Sequence, residues 1–486
     1  MVKQVAAVDL GASSGRVILG SVDVGGIRLR HIARFANRPV PLHESAPDAS
    51  GLHWDTTGLW RSVLDGLGAA VRDADELVSI GVDSWAVDYA LLRGGRMLGT
   101  PYHYRDARTA AGVAAAHRRI SAEDLFARTG LQHLPFNTVF QLTADRLSGT
   151  LPLADRALLM PDLLAWWLTG VQATEVTNAS TTGLVSPITG TLDLTLLDLL
   201  SIPRDMFAPF IEPGATLGSL LPSIRGAIGA GDAVSVTAVG SHDTASAVVA
   251  VPMIGDSAAY ISSGTWSLVG LELHRPLLTE DARLAGFTNE GGVDGTTRLL
   301  RNVSGLWLLS ESMRAWDGAG STDSERSSDL ATLLDEAASV PGLVPTFDIQ
   351  DPRFTPPGNM PTRIAAWFEE HDVPVPATRA ALVRSILESL AETYAATLRD
   401  AERISGRTVR EVHVVGGGSQ NALLCQLTAD RTGLPVLAGP VEATAIGNIL
   451  VQARSQGLAS GSLESLRSLV LQSYPPVRYR PRTRAR

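Results

Sequence analysis

The sequence predicts an α/β protein whose two halves repeat one plan, with a cleft between them. Three observations carry this. Strand-like and helix-like segments alternate along the whole chain. Each half opens on a hairpin pinched by a polar, glycine-containing turn, "VAAVDLGASSGRVILG" at 5–20 and "SAAYISSGTWSLVG" at 257–270, as a duplicated domain would. The length, 486 residues at 45% hydrophobic and 19% charged, suits about two or three domains.

Taken in order, "QVAAVDL", "RVILGSV" and "IRLRHIARF" predict a hairpin and a third strand. "WDTTGLWRSVLDGLGAAVRDA" has helical spacing, with Asp55 or Thr56 as N-cap. "LVSIGVDSWAVDYALL" predicts a strand that ends in polar residues and re-enters an apolar run. "MPDLLAWWLTG" predicts a helix with Pro161 in its first turn and Gly170 past its end, Trp166 and Trp167 serving as packing. Short strands follow at 214–250, then "SHDTASAVVAVP", a polar turn that opens a helix or buried run. "DGAGSTDSERSS" at 317–328 is expected as an exposed loop, and "DPRFTPPGNMPTR" at 351–363 as an ordered loop or hinge. "RAALVRSILESLAETYAATLRDAERIS" predicts a long amphipathic helix. "VREVHVVGGGSQNALLCQLTADRTG" predicts a strand, a glycine turn and a helix.

Composition excludes several chemistries. Lys3 is the only lysine. The P-loop, protein-kinase-like and Schiff-base mechanisms each need one at the site. Cys425 is the only cysteine, so no intrachain disulfide and no cysteine zinc site is expected. A net charge of −9 argues against a nucleic-acid partner. The basic tail "RYRPRTRAR" is expected as a frayed end. No signal peptide and no membrane span is expected, because polar residues interrupt every apolar run. A cytoplasmic protein follows as the expectation.

The pinched turns suit phosphate. Backbone N–H groups in a tight turn converge on an anion, glycine permits close approach, and hydroxyls add donors. Either turn alone is equally a plain hairpin turn. Asp9, at the end of the first strand, would repel a phosphate unless a cation such as Mg²⁺, carried by a nucleotide with water between, intervened. "VHVVGGGSQN" departs from the dinucleotide fingerprint, with Asn421 in place of the last glycine. In "SHDTAS", Asp243 reads equally as a general base for a hydroxyl and as part of an N-cap, with Asp243 or Thr244 starting the next helix. Asp83, Trp85 and Asp88 of "GVDSWAVDY" combine carboxylates with an indole, a mixture suited to a sugar.

The ordered set "VDLGASSGR", "GVDSWAVDY", "YRDART", "LPFNTVFQL", "SHDTASAV", "SSGTWSL", "TNEGG" and "VVGGGSQN" resembles the FGGY carbohydrate kinases of the actin/hexokinase-like superfamily, over nearly the whole chain. The resemblance implies α/β architecture with two ribonuclease-H-like (actin/hexokinase-type) domains and an interdomain catalytic cleft. The implied domains are 1–246, with the sugar site and first phosphate turn, and 247–486, with ATP binding and a flexible tail from about 474. It implies ATP contacts at Ala12, Ser13, Ser14, Gly15, Arg16, Gly264, Thr265, Asn302, Gly416, Gly417, Gly418 and Asn421. It implies Asp243 as the catalytic aspartate, and sugar contacts at Asp83, Trp85, Ala86, His242, Asp243 and Thr244. Asp9 would act near Mg²⁺ through water. Ser310 stands where a glutamine is expected at a nucleotide contact. "SHDTAS", "SSGTWSL" and "TNEGG" lean towards members that phosphorylate L-rhamnulose, with L-fuculose or another ketose as the alternative. A sugar or nucleotide sensor would need a DNA-binding helix-turn-helix, for which the start of the chain leaves no room. The implied partners are ATP and a small ketose, with the chain a monomer or homodimer.

Overall fold

The computed structural model describes residues 2–43, 50–317 and 323–482. The chain forms two compact units that are not continuous in sequence. The first comprises Met1–Pro252, Glu272–Leu300 and Glu442–Pro475, the second Met253–Leu271, Arg301–Val441 and Pro476–Arg486. The expected division, 1–246 and 247–486, places the main crossing within a few residues of Pro252. It does not anticipate the two segments that return to the first unit. The returns arise because Thr288–Gly291 and the helix Ala443–Ser455 bury their surfaces on partners far away in sequence.

The first unit is built on a six-stranded sheet in the order Thr216–Ser219, Ser235–Thr237, Glu76–Ser84, Lys3–Leu10, Ser14–Asp23, Gly26–Ala36. Lys3–Leu10 is buried on both faces from Val5 onward, as a near-continuous apolar run requires of a central strand. It pairs antiparallel with Ser14–Asp23 and parallel with Glu76–Ser84, so the expected hairpin and third strand are present. The helix Thr56–Asp73 starts at Asp55, whose carboxylate accepts from Gly58 N. Met160–Thr169 has proline in its first turn and ends on Gly170 at φ 76°, a left-handed conformation natural to glycine. Trp167 of this helix packs edge-on against Trp60, with ring centroids 5.3 Å apart.

One helix of a returning segment, Ala443–Ser455, closes on this sheet. Its residues 445–453 are all buried, including the polar Asn448 and Gln452. Glycines allow the approach. A Cβ on Gly81 would lie 2.6 Å from Asn448 Oδ1, and one on Gly447 would lie 1.7 Å from the carbonyl oxygen of Ser246 in the helix Asp243–Val249. Ile446, Ile449 and Leu450 are fully buried beside them, each contributing about 1.5–3 kcal/mol.

In the second unit, Ala258–Ser263 pairs antiparallel with Trp266–Leu273 and parallel with Glu411–Val415. Val436–Ala438 follows in parallel, and Val477–Tyr479 pairs with it antiparallel. Of the tail expected to fray from about 474, the described part contributes a strand, held further by Arg482 N donating to Asp430, and residues 483–486 lie outside the described residues. The long helix is present as Arg379–Ser405, and Ala422–Thr432 follows the glycine turn. Of the loop expected at 317–328, residues 318–322 lie outside the described residues, and a helix, Asp323–Ala338, occupies the rest. Among the described residues no helix is long and apolar enough to cross a membrane.

Candidate functional site

Strand register builds the site in the first unit. Asp9 is the direct antiparallel partner of Arg16 and the parallel partner of Asp83. Side chains at matched positions share a face, so Arg16, Asp9 and Asp83 form one row across three strands. The row continues one step. Ser84 N donates to Ser241 O at 2.9 Å, and Ser84 bridges to His242 in parallel. Asp243 then opens the helix Asp243–Val249 beside the row.

The charges in the row are unevenly matched. Asp9 is 1% exposed and forms an ion pair with Arg16, whose Nε lies 3.0 Å from Oδ2. Arg16 Nη1 meets Glu442 Oε2 at 2.5 Å. Asp83 Oδ2 accepts from Asn448 Nδ2 at 2.6 Å, whereas its Oδ1 is buried with no hydrogen-bond partner. Asn448 Oδ1 in turn accepts from Gln452 Nε2 at 2.6 Å. Burial pushes the Asp9 pKa up to about 6, although Arg16 pulls it down. Burial, reinforced by the charge of Asp9, holds Asp83 well above the usual carboxylate range. Burial works to lower the pKa of Arg16, but Asp9, Glu442, Asp83 and Asp243 outweigh it, and the net direction is up. The row thus carries more negative charge than its arginine satisfies.

Asp243 is not a helix cap. His242 occupies the N-cap position, and the Asp243 side chain stays 28% exposed. Thr244 Oγ1 donates to Asp243 Oδ1 at 3.1 Å. The turn before it is pinned by Glu175, a buried carboxylate that accepts from Ser241 N at 3.0 Å and Ser241 Oγ at 2.6 Å. A partly open carboxylate on a braced turn can accept a proton from a bound hydroxyl.

The residues assigned to the sugar side separate into groups. Asp83 lies in the charged row. Trp85 is 5% exposed, and its ring packs against that of Trp54 at a tilt of 32°, with centroids 3.9 Å apart. Asp88 ties this aromatic cluster together. Its Oδ2 accepts from Trp54 Nε1 at 2.6 Å, Trp85 Nε1 at 3.1 Å and Tyr104 N at 3.1 Å, and its Oδ1 accepts from Gln141 Nε2 at 2.8 Å. Ala86 is half-buried in the turn between, followed by Val87 at φ 68°. That conformation is strained for a β-branched residue, and Thr138 Oγ1 secures it by donating to Val87 O at 2.7 Å. His242 and Thr244 are 5% and 4% exposed, with Asp243 the open group between them.

The first pinched turn holds Ala12, Ser13, Ser14, Gly15 and Arg16. Asn37 braces it, its backbone N–H donating to Ser13 O and its side chain to Gly11 O. The remaining assigned nucleotide residues belong to the second unit, where two of the glycine turns are packed together. A Cβ on Gly416 would lie 2.9 Å from Ser263 O, and one on Gly418 would lie 2.0 Å from Ser263 Oγ. Ser263, the residue before Gly264 and Thr265, thus packs directly against Gly416 and Gly418. Gly305 supports the same turn, since its Cβ would meet Trp266 at 2.5 Å. Asn421 is the N-cap of Ala422–Thr432, its Oδ1 accepting from Leu424 N at 2.9 Å. Asn302 lies on the strand Thr297–Ser304, and Ser310 is exposed on the helix Trp307–Asp317.

Sequence reasoning missed Glu442, Asn448, Gln452, Glu175, Glu290 and Arg298. Asn448 and Gln452 leave one trace, two amides four residues apart in an otherwise apolar helix.

Residues 4–250 match the model of the N-terminal domain of the FGGY family of carbohydrate kinases, and residues 259–456 the model of its C-terminal domain. A rhamnulokinase of Bacteroides thetaiotaomicron is 40% identical over 482 residues, 99% of this chain and 96% of that protein. A rhamnulokinase of Pectobacterium carotovorum is 42% identical over 488 residues, 99% of this chain and 94% of that protein. Among solved structures, a ligand-bound xylulose kinase of Lactobacillus acidophilus matches with TM-score 0.77 at 15% identity, covering 99% of this chain and 94% of the other. A Plasmodium falciparum glycerol kinase with ADP matches with TM-score 0.75 at 14% identity, again over 99% and 94%.

Proposed function

The chain belongs to the FGGY family of carbohydrate kinases, and from that premise we propose that it transfers the γ-phosphoryl group of ATP to L-rhamnulose, giving L-rhamnulose 1-phosphate and ADP. The observation that carries the choice of sugar is identity of 40% and 42% to rhamnulokinases over 99% of this chain.

In this reading Asp243 aligns the acceptor hydroxyl and takes its proton. The oxygen–phosphorus bond forms as the bond from γ-phosphorus to the bridging oxygen of ADP breaks. Transfer of this kind is largely dissociative, so positioning and charge neutralisation supply most of the rate. A carboxylate is a weak base for an alcohol, which places proton transfer late. Ala12, Ser13, Ser14, Gly15 and Arg16 are proposed ATP contacts. So are Gly264, Thr265, Asn302, Gly416, Gly417 and Gly418, and Asn421 would contribute only through its amide nitrogen, its oxygen being engaged as a cap. Trp85 and Ala86 would shape the sugar pocket behind His242, Asp243 and Thr244.

The row fits a divalent cation. Two buried carboxylates, Asp9 and Asp83, the latter with its Oδ1 unpartnered, face the single guanidinium of Arg16, which Glu442 also engages. Among the described residues no three His, Cys, Asp or Glu side chains are grouped to hold a metal. Mg²⁺ would therefore keep its waters and phosphate oxygens, with Asp9 reaching it through water. When bound, the ion would neutralise charge on the transferred phosphoryl group.

The test is ADP release from Mg·ATP with L-rhamnulose, L-fuculose, L-ribulose, D-xylulose and glycerol. L-Rhamnulose should give the highest kcat/KM. Preference for another ketose would overturn the substrate, and no sugar-dependent release would overturn the reaction.

A further inference from the structure

Buried behind Asp243 is a charged pair that the mechanism above does not use. Glu290 and Arg298 are cross-strand partners in the hairpin of Thr288–Gly291 and Thr297–Ser304. Arg298 is 0% exposed and Glu290 5%. Arg298 Nε donates to Gly291 O at 3.0 Å, which fixes the plane of its guanidinium, and Nη2 lies 3.2 Å from Glu290 Oε2. The same Nη2 hydrogen-bonds His242 Nδ1 at 3.1 Å. The far nitrogen of that ring, Nε2, lies 3.4 Å from Asp243 Oδ1.

A guanidinium can only donate, and it does not lose its proton in proteins. Its bond to His242 Nδ1 therefore requires a lone pair there, and the imidazole must be neutral with its proton on Nε2. That proton faces Asp243. We propose that Arg298 is a positioning residue, which locks His242 as the Nε2–H tautomer and so directs a neutral donor onto Oδ1 of Asp243. Thr244 Oγ1 donates to the same oxygen at 3.1 Å. Oδ1 is thus engaged and Oδ2 is left to receive the hydroxyl proton. Glu290 plays the balancing part. Its Oε2 is 3.3 Å from His242 Nδ1, and without Arg298 it would draw a proton onto that nitrogen. An imidazolium beside Asp243 would lower the proton affinity of the carboxylate and blunt it as an acceptor.

The charged groups around the imidazole all belong to this picture. Asp243 is on its own helix, and Glu290 and Arg298 are on the hairpin. Glu175 lies beneath the Ser241 turn, and Asp83 precedes Ser84, the bridge partner of His242. The inference deepens the proposed role of Asp243, and its first test does not depend on that role.

The first test is ¹⁵N NMR of histidine-labelled protein, with the His242 signals assigned by their loss in His242→Asn. The wild type should show neutral Nε2–H at neutral pH, Arg298→Met should show Nδ1 protonated, and Arg298→Lys should restore the wild-type pattern. An unchanged tautomer in Arg298→Met overturns the proposal, whatever Asp243 does. The second test is kinetic. Arg298→Met should lower kcat roughly 10–100-fold, the scale of a misplaced catalytic group, with little change in the sugar KM. Its kcat should also rise with pH as the imidazolium deprotonates, a limb that the wild type lacks. Glu290→Gln/Arg298→Met leaves no buried unpaired charge, which guards against misfolding, and it should lose that limb. Retention of the limb in the double variant overturns the proposal. Wild-type turnover in Asp243→Asn would instead refute the role of Asp243 while leaving the NMR result to decide Arg298.

Discussion

Replacing Asp88 with asparagine tests whether burial, rather than hydrogen bonding, governs the acids of this unit. Four donors converge on the carboxylate, three on Oδ2 and one on Oδ1. Hydrogen bonds to the charged form favour ionisation, and burial opposes it. Burial wins, and the pKa rises from 3.8 to about 6. The folded protein therefore holds this proton more tightly than the unfolded chain. Its stabilising contribution is complete below the unfolded value and is lost as pH rises through about 6. A rise of about two units corresponds to about 3 kcal/mol over the whole window. About 1.4 kcal/mol of this falls between pH 5 and pH 8, from the two-state titration of one group. Asparagine does not titrate. The stability of the wild type minus that of Asp88→Asn should therefore decrease by about 1.4 kcal/mol from pH 5 to pH 8. Urea unfolding at several pH values, followed by tryptophan fluorescence, reads this directly, because Trp54 and Trp85 both donate to the carboxylate. A difference that stays flat, or that grows with pH, would refute the reasoning.

Asp243→Asn should leave the sugar Kd within a few-fold of wild type and reduce kcat by about 10²–10⁴-fold, the usual worth of a positioned proton acceptor; turnover near wild type would remove Asp243 from the mechanism. Gly447→Ala should destabilise the first unit by about 1–3 kcal/mol or more, because the new Cβ would lie 1.7 Å from Ser246 O, a backbone atom that cannot swing aside. An unchanged melting temperature would show that the two helices can separate freely.

The fold was legible where one short stretch contains its own reason. The opening hairpin, the capped helix Thr56–Asp73 and the proline-to-glycine helix Met160–Thr169 each carry their punctuation in sequence. Asp243 stood out as a carboxylate in a short polar patch between apolar runs, where it demands partners, and Asp9 as a carboxylate beside a phosphate-suited turn. The partners themselves were not legible. Asp83 joins Asp9 through strand register, a property of pairing that no single strand encodes. Asn448 reaches Asp83 only because Gly81 and Gly447 let two layers approach, and Glu442 meets Arg16 from 426 residues away. Arg298 resembles any other charge in a strand until its Nη2 is seen on His242. The indole of Trp85 suggested a sugar platform, but a sequence cannot reveal that Trp54 already covers one face of it. Asn421 had a local signature, an amide just before a helix, and its engagement as a cap follows from that signature.

The return of Ala443–Ser455 to the first unit has a consequence for how the protein is made. Asp83 accepts a hydrogen bond from the side chain of Asn448, 365 residues further along the chain. At ribosomal rates of about 5–20 residues per second, about 20–70 s separate the two syntheses. During that interval the nascent first unit holds Asp9, Asp83 and Asp243 without the Asn448 amide that bonds Asp83 and without the Glu442 carboxylate that pairs with Arg16. The sheet can form early, but its most heavily charged row must wait for the helix. The order of translation thus leaves the charged row unfinished until late, and a chain interrupted before residue 442 would carry the first unit's six-stranded sheet without the helix that completes the row.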